Sequence, residues 1–523
     1  MSNQAKKESP WNAMPHSWPT TPWPAGGGVN AEVCVVGAGI SGLLTAYELQ
    51  RRGKQTVVVE GRQPGAGDTG STTAHLTAFI DMRYVELVKK HGAATASVVA
   101  ESHTAAIALI EEISQRESIE CNFTRLNGYL AVAEKSENSL NLQEELDCAL
   151  QAGLASVELQ SECPHGDGFA KCLQVPEQAL FHPLEFLHGV AEAFTKRGGH
   201  IYTGRSVMNI SGGEEPHVEV DGGMMVHARA VVVATNSPIS DRVAMHTKQA
   251  TYRTYVVGFE RLSAVEDDFL LWDTEDPYHY VRLAQVDNEP LLLVGGEDHR
   301  TGMADDGAKR IEEIEAWGRR HFPHVGQVRY QWSGQVIEPV DGLAFIGLDV
   351  GGEGNVYIIT GASGNGMTYA GIAALMLPDL IEGKPHLWAE TYSPSRKMGK
   401  AAGEFLEENA ATMAHFVGDW VSGSEIDDPA KLKPGEGALM RNGLKKVAIH
   451  CDSEGNLHSR SAVCPHLGCI VRWNSWEQSW DCPCHGSRFD AEGKTVLNAP
   501  ALGGLTEVEK PSSKNHVKKG EGR

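Results

Sequence analysis

The sequence predicts an α/β fold with an interleaved α+β domain, followed by a smaller all-β module. Three observations support this prediction. A strand, a glycine-rich loop and a helix follow one another near residue 32, and strand-like runs dominate residues 251–300. After residue 430 the chain changes to short strands separated by Gly and Asn turns. The length of 523 residues exceeds a single core and fits several domains of about 100–200 residues each.

The composition is that of a globular protein with an acidic surface. Hydrophobic residues make up 41% and charged residues 22% of the chain, which excludes wholesale disorder. The 46 Lys and Arg against 68 Asp and Glu give a formal net charge of −22. Such a charge repels phosphate backbones, so nucleic acid is not expected as a partner. No integral membrane segment is expected either, since no run approaches the ~20 apolar residues that span a bilayer.

The N-terminal residues 1–28 are predicted to form an extended arm that lies on the body of the protein. They are polar, rich in Pro and Trp, and lack the apolar core of a secretory signal, so a cytoplasmic location is expected. The ten cysteines of the chain are too few for a disulfide scaffold.

The first predicted unit is a βαβ unit that runs from Glu32 to Glu60. A β-branched run ends in glycines, and residues 40–52 carry apolar side chains at helical spacing. Gly53 ends this helix, and residues 55–60 are typical of a second buried strand. Further helices are predicted over residues 98–116, 134–153, 183–198, 307–320, 367–381 and 399–414. Further strands are predicted over residues 128–132, 230–234 and 355–360, with a hairpin starting at residue 216.

Gly37, Gly39 and Gly42 form a Gly-x-Gly-x-x-Gly pattern between the first strand and the first helix. The first glycine permits a tight turn, the second lets the backbone approach a pyrophosphate, and the third allows close packing of helix on strand. The helix N-terminus offers free N–H groups and a partial positive charge to phosphates. Glu60 ends the second strand, where a carboxylate binds a ribose hydroxyl. The pattern therefore predicts a dinucleotide-binding loop, without distinguishing FAD from NAD.

Further segments follow in a recognisable order: the small-residue stretch 67–75, the position Val207, the run 231–236 that ends in Ala-Thr-Asn, and the motifs 341–347 and 361–368. Together with the glycine loop they resemble the D-amino acid oxidase / glycine oxidase-like family of FAD-dependent oxidoreductases, over roughly residues 30–385. The resemblance implies FAD as cofactor and a Rossmann-like FAD-binding domain of the same type. It implies FAD contacts from Gly37, Ala38, Gly39, Ile40, Ser41, Gly42, Glu60, Ser71, Thr72, Val207, Ala234, Thr235, Gly361, Gly364, Asn365, Gly366, Met367 and Thr368.

Four potential metal ligands lie in two short motifs near the C-terminus. Cys464 and His466 form a Cys-x-His motif, and Cys482 and His485 form a Cys-x-x-His motif. A Rieske 2Fe-2S centre requires two thiolates on one iron and two imidazoles on the other, supplied by two such loops. Zinc is the alternative, but structural zinc usually takes a longer spacing between paired ligands. A Rieske oxygenase would also need a mononuclear iron held by two His and a carboxylate, and no two histidines have the expected helical spacing.

Residues 430–510 resemble the Rieske domain of the cytochrome bc type. The resemblance implies that Cys469 and Cys484 form a disulfide between the two cluster loops, with a reduced pair as the alternative. It also implies that Ser487 donates a hydrogen bond to a bridging sulfide. Phe489 departs from this type, which usually carries a tyrosine there. Because the absent hydroxyl would stabilise the reduced cluster, we expect a potential below the upper end of the ~−150 to +300 mV Rieske range.

The two predicted cofactors indicate an enzyme that transfers electrons. A flavin takes up two electrons as hydride and a 2Fe-2S cluster carries one. We therefore expect a dehydrogenase that oxidises a C–N bond of an amine or amino acid and passes electrons singly through the cluster to an acceptor protein or quinone. One alternative is a reductase driven by NAD(P)H, although such enzymes usually carry a second glycine-rich nucleotide unit and we identify none. The other alternative is a redox sensor or electron carrier without turnover.

Substrate contacts are predicted only as candidates. His75 lies at the end of the segment expected beside the flavin. Arg253 with Tyr255 on one strand, or Tyr280 with Arg282 on another, have the chemistry to hold a carboxylate. An ordinary exposed strand pair is the alternative.

The predicted domain organisation places a flavoprotein body before the iron–sulfur module. The arm covers residues 1–28, the FAD-dependent oxidoreductase 29–390, a connecting helix and linker 391–429, the Rieske domain 430–512 and a tail 513–523. Within the body, the FAD-binding parts are about 29–80, 200–240 and 335–390, and the substrate-binding parts are about 81–199 and 241–334.

Overall fold

The computed structural model divides the chain into two compact units. Unit 1 comprises Met1–His299 and Ala308–Phe405, and unit 2 comprises Arg300–Gly307 and Leu406–Arg523. The residues that the structure describes are 5–13, 16–133, 141–240, 245–262, 267–287, 289–351, 353–397, 420, 423–443, 445–497 and 500–509. The helix predicted over 399–414, which is part of the predicted linker region, and the predicted tail 513–523 lie outside the described residues.

The helices of unit 1 are α1 Ile40–Arg51, α2 Tyr84–His91, α3 Ala93–Arg116, α4 Leu142–Ala152, α5 Pro183–Lys196, α6 Gly307–His321, α7 Gly366–Ile381 and α8 Ala389–Tyr392. Its strands are β1 Val29–Asn30, β2 Val33–Val36, β3 Thr56–Glu60, β4 His75–Leu76, β5 Thr124–Ala133, β6 Glu158–Gln160, β7 Phe169–Leu180, β8 His200–Thr203, β9 Val207–Ser211, β10 His217–Val220, β11 Met224–His227, β12 Ala230–Asn236, β13 Gln249–Arg261, β14 Phe269–Asp273, β15 His279–Val286, β16 Glu289–Arg300, β17 Val325–Pro339, β18 Phe345–Leu348 and β19 Val356–Thr360.

A six-stranded sheet forms the centre of the nucleotide-binding half of unit 1, with the order β18-β19-β12-β2-β3-β8. All its neighbours pair in parallel except β18 and β19. Every residue of β2 and β3 is buried, which is why both strands are continuous runs rich in Val. The chain proceeds to β3 and β8 on one side of β2 and to β12 and β19 on the other. This switch in direction opens a crevice at the carboxyl ends of β2 and β12.

The expectation that no segment is long and apolar enough to span a membrane is wrong for helix α3. Among the described residues it alone passes that test of length and composition. Half of its most apolar window is buried in the protein, and the helix packs against α2, α4 and α7. A buried apolar stripe of this kind is also what a core helix requires.

A nine-stranded sheet forms the other half of unit 1, with the order β17-β13-β16-β15-β14-β5-β7-β4 and β6 paired to β7. Strands β13 and β17 pair antiparallel, and Thr254 lies opposite Gly334. Directly opposed residues share a face of the sheet, so Glu338, opposite Ala250, lies on the same face. This face approaches residues 67–75, since a Cβ on Gly334 would lie 3.4 Å from the carbonyl oxygen of Ser71. We call it the inner face.

The N-terminal arm lies on unit 1, as the sequence predicts. Lys6 forms a parallel bridge with Tyr330. Trp11 is 1% exposed, and its indole Nε1 donates to the carbonyl oxygen of Thr72 at 2.6 Å. Trp23 donates to the carbonyl oxygen of Thr203 at 2.8 Å. The tryptophans of the arm thus bury apolar surface and satisfy their N–H groups at the same time.

Unit 2 contains two small antiparallel sheets, as the all-β prediction requires. One has the order β20-β21-β22 and the other β23-β24-β25-β26. Their strands are β20 Gly437–Asn442, β21 Lys445–Cys451, β22 Leu457–Ser461, β23 Arg472–Asn474, β24 Ser479–Asp481, β25 Arg488–Asp490 and β26 Thr495–Leu497. The segment 300–307 belongs to the same unit, where Asp305 Oδ1 accepts hydrogen bonds from the N–H and hydroxyl of Ser475, both at 2.7 Å.

Candidate functional site

The glycine loop has a backbone that only glycine accommodates. Gly37 has φ +105°, and a Cβ there would lie 2.5 Å from the carbonyl oxygen of Ala234. A Cβ on Gly42 would lie 1.9 Å from the carbonyl oxygen of Gly37. The loop therefore brings β2, β12 and the first turn of α1 into direct contact, at the crevice where parallel sheets bind nucleotides.

The groups around this loop fit the pyrophosphate and ribose of a dinucleotide. Helix α1 starts at Ile40 directly after the loop, so the partial positive charge of its N-terminus lies beside the loop. The Ile40 N–H lies 3.1 Å from Thr69 Oγ1. The buried Glu60 carboxylate accepts from the N–H groups of Ala38 and Arg62, each at 2.9 Å, which holds it beside the loop. A Cβ on Gly39 would lie 3.1 Å from Thr69 Oγ1, so a larger residue would fill the space beside the loop.

Residues 67–75 are tied to three other parts of unit 1. Asp68 accepts from Asn236 Nδ2 at 2.7 Å and from the Gln335 N–H at 3.1 Å. Trp332 Nε1 donates to the carbonyl oxygen of Ser71 at 2.8 Å, and Trp11 Nε1 binds that of Thr72. The sequence analysis assigned no role to Asp68, Trp11 or Trp332, since nothing in their local patterns indicates which backbone groups they reach.

The C-terminal glycine motif reaches the same crevice at the end of β19. Asn365 precedes α7, whose N-terminus carries Gly366, Met367 and Thr368. Thr368 Oγ1 lies 3.4 Å from the carbonyl oxygen of Thr77, in the stretch that follows β4. Ala234 and Thr235 end β12 next to it, since β12 pairs with β19. The predicted FAD contacts are thus brought together around the carboxyl ends of β2, β12 and β19.

Val207 belongs to a separate small sheet beside this crevice. It starts β9 in the sheet β1-β11-β10-β9. Its side chain is buried in an apolar cluster that also contains Val36 and Val59, the residues near the ends of β2 and β3. Contact of Val207 with the nucleotide, which the family resemblance implies, stays a prediction.

The candidate catalytic residues do not lie together. His75 lies next to β15, with its Nε2 3.3 Å from the carbonyl oxygen of Val281 and its Nδ1 3.0 Å from Thr73 Oγ1. Burial, followed by the positive charge of Arg282, lowers the pKa of His75 to about 3, so its ring is neutral at physiological pH.

Arg253 and Tyr255 lie on the face of the sheet opposite the inner face. They pair with Gln335 and Ser333, which alternate with Gly334 along β17. Arg253 Nη2 donates to Ser333 Oγ, and Tyr255 Oη lies 3.0 Å from His299 Nε2. The structure therefore does not bring this pair to the face that approaches residues 67–75.

Arg282 is held by backbone groups instead of facing a substrate. Its Nη1 donates to the carbonyl oxygens of Thr73 at 2.7 Å, Ala74 at 2.9 Å and Phe181 at 3.2 Å, and its Nε to that of Leu283 at 2.9 Å. Its guanidinium also lies over the ring of Trp11, with 5.4 Å between the carbon and the ring centroid. These bonds occupy the Nε and Nη1 donors of the guanidinium, which are therefore not free to bind a substrate carboxylate.

In unit 2 the two cysteine–histidine motifs converge. Cys464 and His466 lie in the loop between β22 and β23, and Cys482 and His485 lie in the loop between β24 and β25. The two imidazole rings are 4.9 Å apart between centroids, at an interplanar angle of 78°. A hydrogen bond shared by the two thiols lowers the pKa of Cys464 to about 7 and raises that of Cys482 well above its usual value. The structure thus brings two thiols together and two imidazoles together, the donor set of a Rieske centre.

The disulfide prediction is confirmed, since Cys469 and Cys484 are bonded to each other. The bond joins the two loops that carry the four ligands. Ser487 Oγ is fully buried without a hydrogen bond of normal geometry, although it lies close enough to Cys464 to lower the pKa of that thiol. A buried hydroxyl without a partner costs free energy, and a sulfide of a bound cluster would satisfy it. The residues present therefore fit a 2Fe-2S cluster.

Comparison with protein families agrees with both sites. Residues 32–380 match the family described as FAD dependent oxidoreductase, and residues 424–509 match the Rieske [2Fe-2S] domain. The second match starts a few residues before the predicted boundary at 430 and ends before 512.

Three known proteins illustrate the similarity. The putative Rieske 2Fe-2S iron-sulfur protein YhfW of Bacillus subtilis is 30% identical over 482 residues, which are 91% of this chain and 93% of that protein. The gamma-glutamylputrescine oxidoreductase of Escherichia coli is 26% identical over 371 residues, 68% of this chain and 84% of that protein. The solved structure of L-proline dehydrogenase from P. horikoshii has a TM-score of 0.57 at 18% identity, covering 70% of this chain and 97% of that one. The last similarity shows the fold alone.

Proposed function

Because the chain belongs to the FAD dependent oxidoreductase family and carries a C-terminal Rieske [2Fe-2S] domain, we propose that it is a dehydrogenase of amine or amino acid C–N bonds. When bound, FAD would supply a hydride acceptor for the C–H next to nitrogen, so that a C=N bond would form and the proton of the nitrogen would pass to solvent. A bound 2Fe-2S cluster would supply a one-electron path to an external acceptor, a protein or a quinone.

The observation that carries this proposal is the presence of both sites in one chain. A flavin site alone fits an oxidase that passes both electrons to oxygen. A 2Fe-2S cluster in the same chain instead provides a one-electron path to another acceptor. The similarity to YhfW extends over 91% of the chain, so this pairing also occurs in a relative. The name of one similar protein, gamma-glutamylputrescine oxidoreductase, supports a substrate with a C–N bond.

The residues of unit 1 have definite tasks in this reaction. The N-termini of α1 and α7 offer N–H groups and positive partial charge, α1 to the pyrophosphate and α7 to the flavin ring. Trp11 and Trp332 hold the backbone of residues 71–72 in place. His75 is neutral at physiological pH, because burial and the charge of Arg282 lower its pKa to about 3, so it adds no positive charge beside residues 67–75.

The order of reduction tests the proposal. The holoprotein is mixed rapidly, without oxygen, with a panel of primary and secondary amines and amino acids, while flavin absorbance and the cluster EPR signal are followed. We expect the flavin to bleach first and the cluster to become reduced afterwards.

Two results would overturn the proposal. Reduction of the cluster before the flavin would reverse the electron path. Rapid bleaching by NADH or NADPH, with no response to any compound that carries a C–N bond, would favour the reductase.

A further inference from the structure

The backbone of residues 70–74 is held by side chains that are distant from it in the sequence. These residues belong to the segment expected beside the flavin, and each of their carbonyl oxygens accepts a hydrogen bond from such a side chain. The donors are Ser9 Oγ and Asn12 Nδ2 on Gly70, Trp332 Nε1 on Ser71, Trp11 Nε1 on Thr72, and Arg282 Nη1 on Thr73 and Ala74. The carbonyl side of this stretch is therefore fully occupied by the protein.

The N–H side of the same stretch is not occupied. The N–H groups of Thr72 and Thr73 make no hydrogen bond to any residue in the part of the chain that the structure describes. Both residues are partly exposed and lie outside helices and strands. The next N–H group, that of Ala74, donates to Thr72 Oγ1 at 2.9 Å. Since backbone N–H groups of folded proteins are nearly all paired with protein, water or ligand, these two are available to a bound group.

Peptide geometry connects the occupied carbonyls to the available N–H groups. The peptide units of residues 71–73 are trans, so the C=O and the N–H of one unit point in opposite directions. The carbonyl of Thr72 and the N–H of Thr73 belong to one unit, and the hydrogen bond from Trp11 Nε1, at 2.6 Å, therefore also fixes the direction of that N–H. Trp332 fixes the Thr72 N–H in the same way, through the carbonyl of Ser71 at 2.8 Å.

Trp11 is itself held firmly in the arm. It is 1% exposed, and its ring contacts that of His182 edge to face, with 4.9 Å between the centroids. The guanidinium of Arg282 lies over the indole, 5.4 Å from the ring centroid. Two residues earlier, the buried Ser9 donates to the carbonyl oxygen of Gly70. A donor held on several sides by packing keeps a defined direction, as the support of a binding site requires.

We infer that residues 9–12 of the N-terminal arm are part of the flavin site, with Trp11 as a positioning residue that directs the Thr73 N–H toward an acceptor atom of the bound flavin ring. The match to the FAD dependent oxidoreductase family begins at residue 32, so it does not include these residues. The inference goes beyond the proposed function, because it concerns the cofactor and not the substrate. A donor at the ring stabilises the more electron-rich reduced flavin more than the oxidised flavin. Loss of the support should therefore lower the flavin reduction potential.

The first experiment compares Trp11→Phe with the wild type. The variant keeps an aromatic ring in the arm but removes the N–H donor. The flavin absorption spectrum and the two-electron flavin potential are measured on the holoprotein in an anaerobic dye-coupled titration. We expect the equilibrium constant for flavin reduction to fall about tenfold, which corresponds to ~30 mV for a two-electron couple, together with a shift of the flavin bands. The potential of the cluster, followed by EPR in the same titration, should not change.

Trp317→Phe is the matched control. Trp317 is 4% exposed, and its indole Nε1 donates to Glu275 Oε2 at 3.3 Å and not to residues 67–75. This variant also loses one buried indole hydrogen bond, and it should leave the flavin potential and spectrum unchanged. A wild-type flavin potential in Trp11→Phe, or an equal shift in both variants, would overturn the inference.

A second variant decides the case in which Trp11→Phe does not retain FAD. Ser9→Ala removes the hydroxyl that donates to Gly70 with little change in volume. We expect FAD to dissociate from the diluted holoprotein at least about threefold faster than from the wild type, measured by the recovery of FAD fluorescence. Ser453→Ala, at an exposed turn, should release FAD at the wild-type rate. A wild-type rate in Ser9→Ala would count against a role of the arm in the flavin site. No substrate enters these measurements, so they stand whether or not the protein oxidises C–N bonds.

Discussion

Ser487 shows how a single side chain indicates a bound group. Its hydroxyl is fully buried next to Cys464 and has no hydrogen bond of normal geometry. Donation to a sulfide would stabilise the more negative, reduced form of a cluster more than the oxidised form. Phe489, which is also fully buried beside the cysteines, supplies no such donor. The two residues therefore influence the potential in opposite directions.

We predict that Ser487→Ala lowers the reduction potential of the cluster. A hydrogen bond to a charged group contributes about 1.5–3 kcal/mol, and about 1.4 kcal/mol corresponds to ~59 mV for one electron, so we expect a decrease of roughly 60–130 mV. Redox titration followed by EPR measures the change. Ser453→Ala, at an exposed turn, is the control, and Phe489→Tyr should raise the potential. An unchanged potential in Ser487→Ala would remove the assigned role of its hydroxyl.

Asp298 makes a pH-dependent contribution to stability. Its pKa is about 7 in the folded protein against 3.8 as the ordinary value. Between these values the folded state holds a proton that the unfolded state releases, so the free energy of unfolding decreases as pH rises from about 4 to 7. Above pH 7 the decrease is complete, because the carboxyl is ionised in both states.

We therefore predict that Asp298→Asn stabilises the substrate-free protein at pH 8 but not at pH 5. Removing a buried, unpaired charge should add roughly 2 kcal/mol at the higher pH, and chemical denaturation of unit 1 followed by fluorescence measures it. Asp147→Asn, a variant on the exposed surface of α4, should show no such pH dependence. A stabilisation of equal size at both pH values would contradict the raised pKa.

Helix α1 illustrates what an element contributes beyond its own stability. Its first turn lies against the carboxyl end of β2, and the absence of a side chain at Gly42 makes this approach possible. The helix end, the loop and Glu60 together form the nucleotide-binding edge. A change in this packing should therefore weaken cofactor binding more than it lowers the stability of the rest of unit 1.

We predict that Gly42→Ala abolishes most FAD binding. A Cβ there would lie 1.9 Å from the carbonyl oxygen of Gly37, so α1 must move away from the strand. The FAD content of purified protein, measured by absorbance, should fall to about a tenth or less. Gly26→Ala, whose Cβ would meet no atom within 4 Å, should retain full FAD content. Normal FAD content in Gly42→Ala would show that the close approach is not required.

At the scale of the whole molecule, the chain combines two units with different sources of stability. Unit 1 contains large apolar cores, in which helices α1, α5 and α7 cover one face of the parallel sheet and the small sheet β1-β11-β10-β9 covers the other. Unit 2 has short strands and a small core in which Cys464, Cys469, Cys482 and Cys484 take part directly. A small domain with a limited core depends more on a disulfide and on a metal cluster.

We predict that Cys484→Ser destabilises unit 2 and leaves unit 1 intact. The disulfide closes a loop with a sequence separation of 15 residues, for which chain entropy gives about 3 kcal/mol. In calorimetry of the holoprotein, the transition of unit 2 should fall by roughly 10 °C or more, with cluster content reduced and FAD content unchanged. Cys148→Ser, a free cysteine in unit 1, is the control. An unchanged transition would show that the bond does not stabilise this unit.

Local sequence determined a large part of this protein. The glycine loop, the four ligands of the cluster motifs and the helix at 307–320 were predicted, because each depends on residues close together in the chain. Turn conformation, helical periodicity and ligand spacing are local properties, so a sequence expresses them directly. The disulfide followed from the family resemblance and is present.

Only the tertiary structure decided which face of the nine-stranded sheet approaches residues 67–75. Arg253 and Thr254 alternate faces on any strand, but the packing of Ser71 near Gly334, opposite Thr254, makes Thr254 and not Arg253 a residue of the inner face. Arg282 has the chemistry to bind a carboxylate, but folding surrounds it with backbone carbonyls. Strand register and long-range packing decide such placements, and neither is expressed in a local pattern of residues.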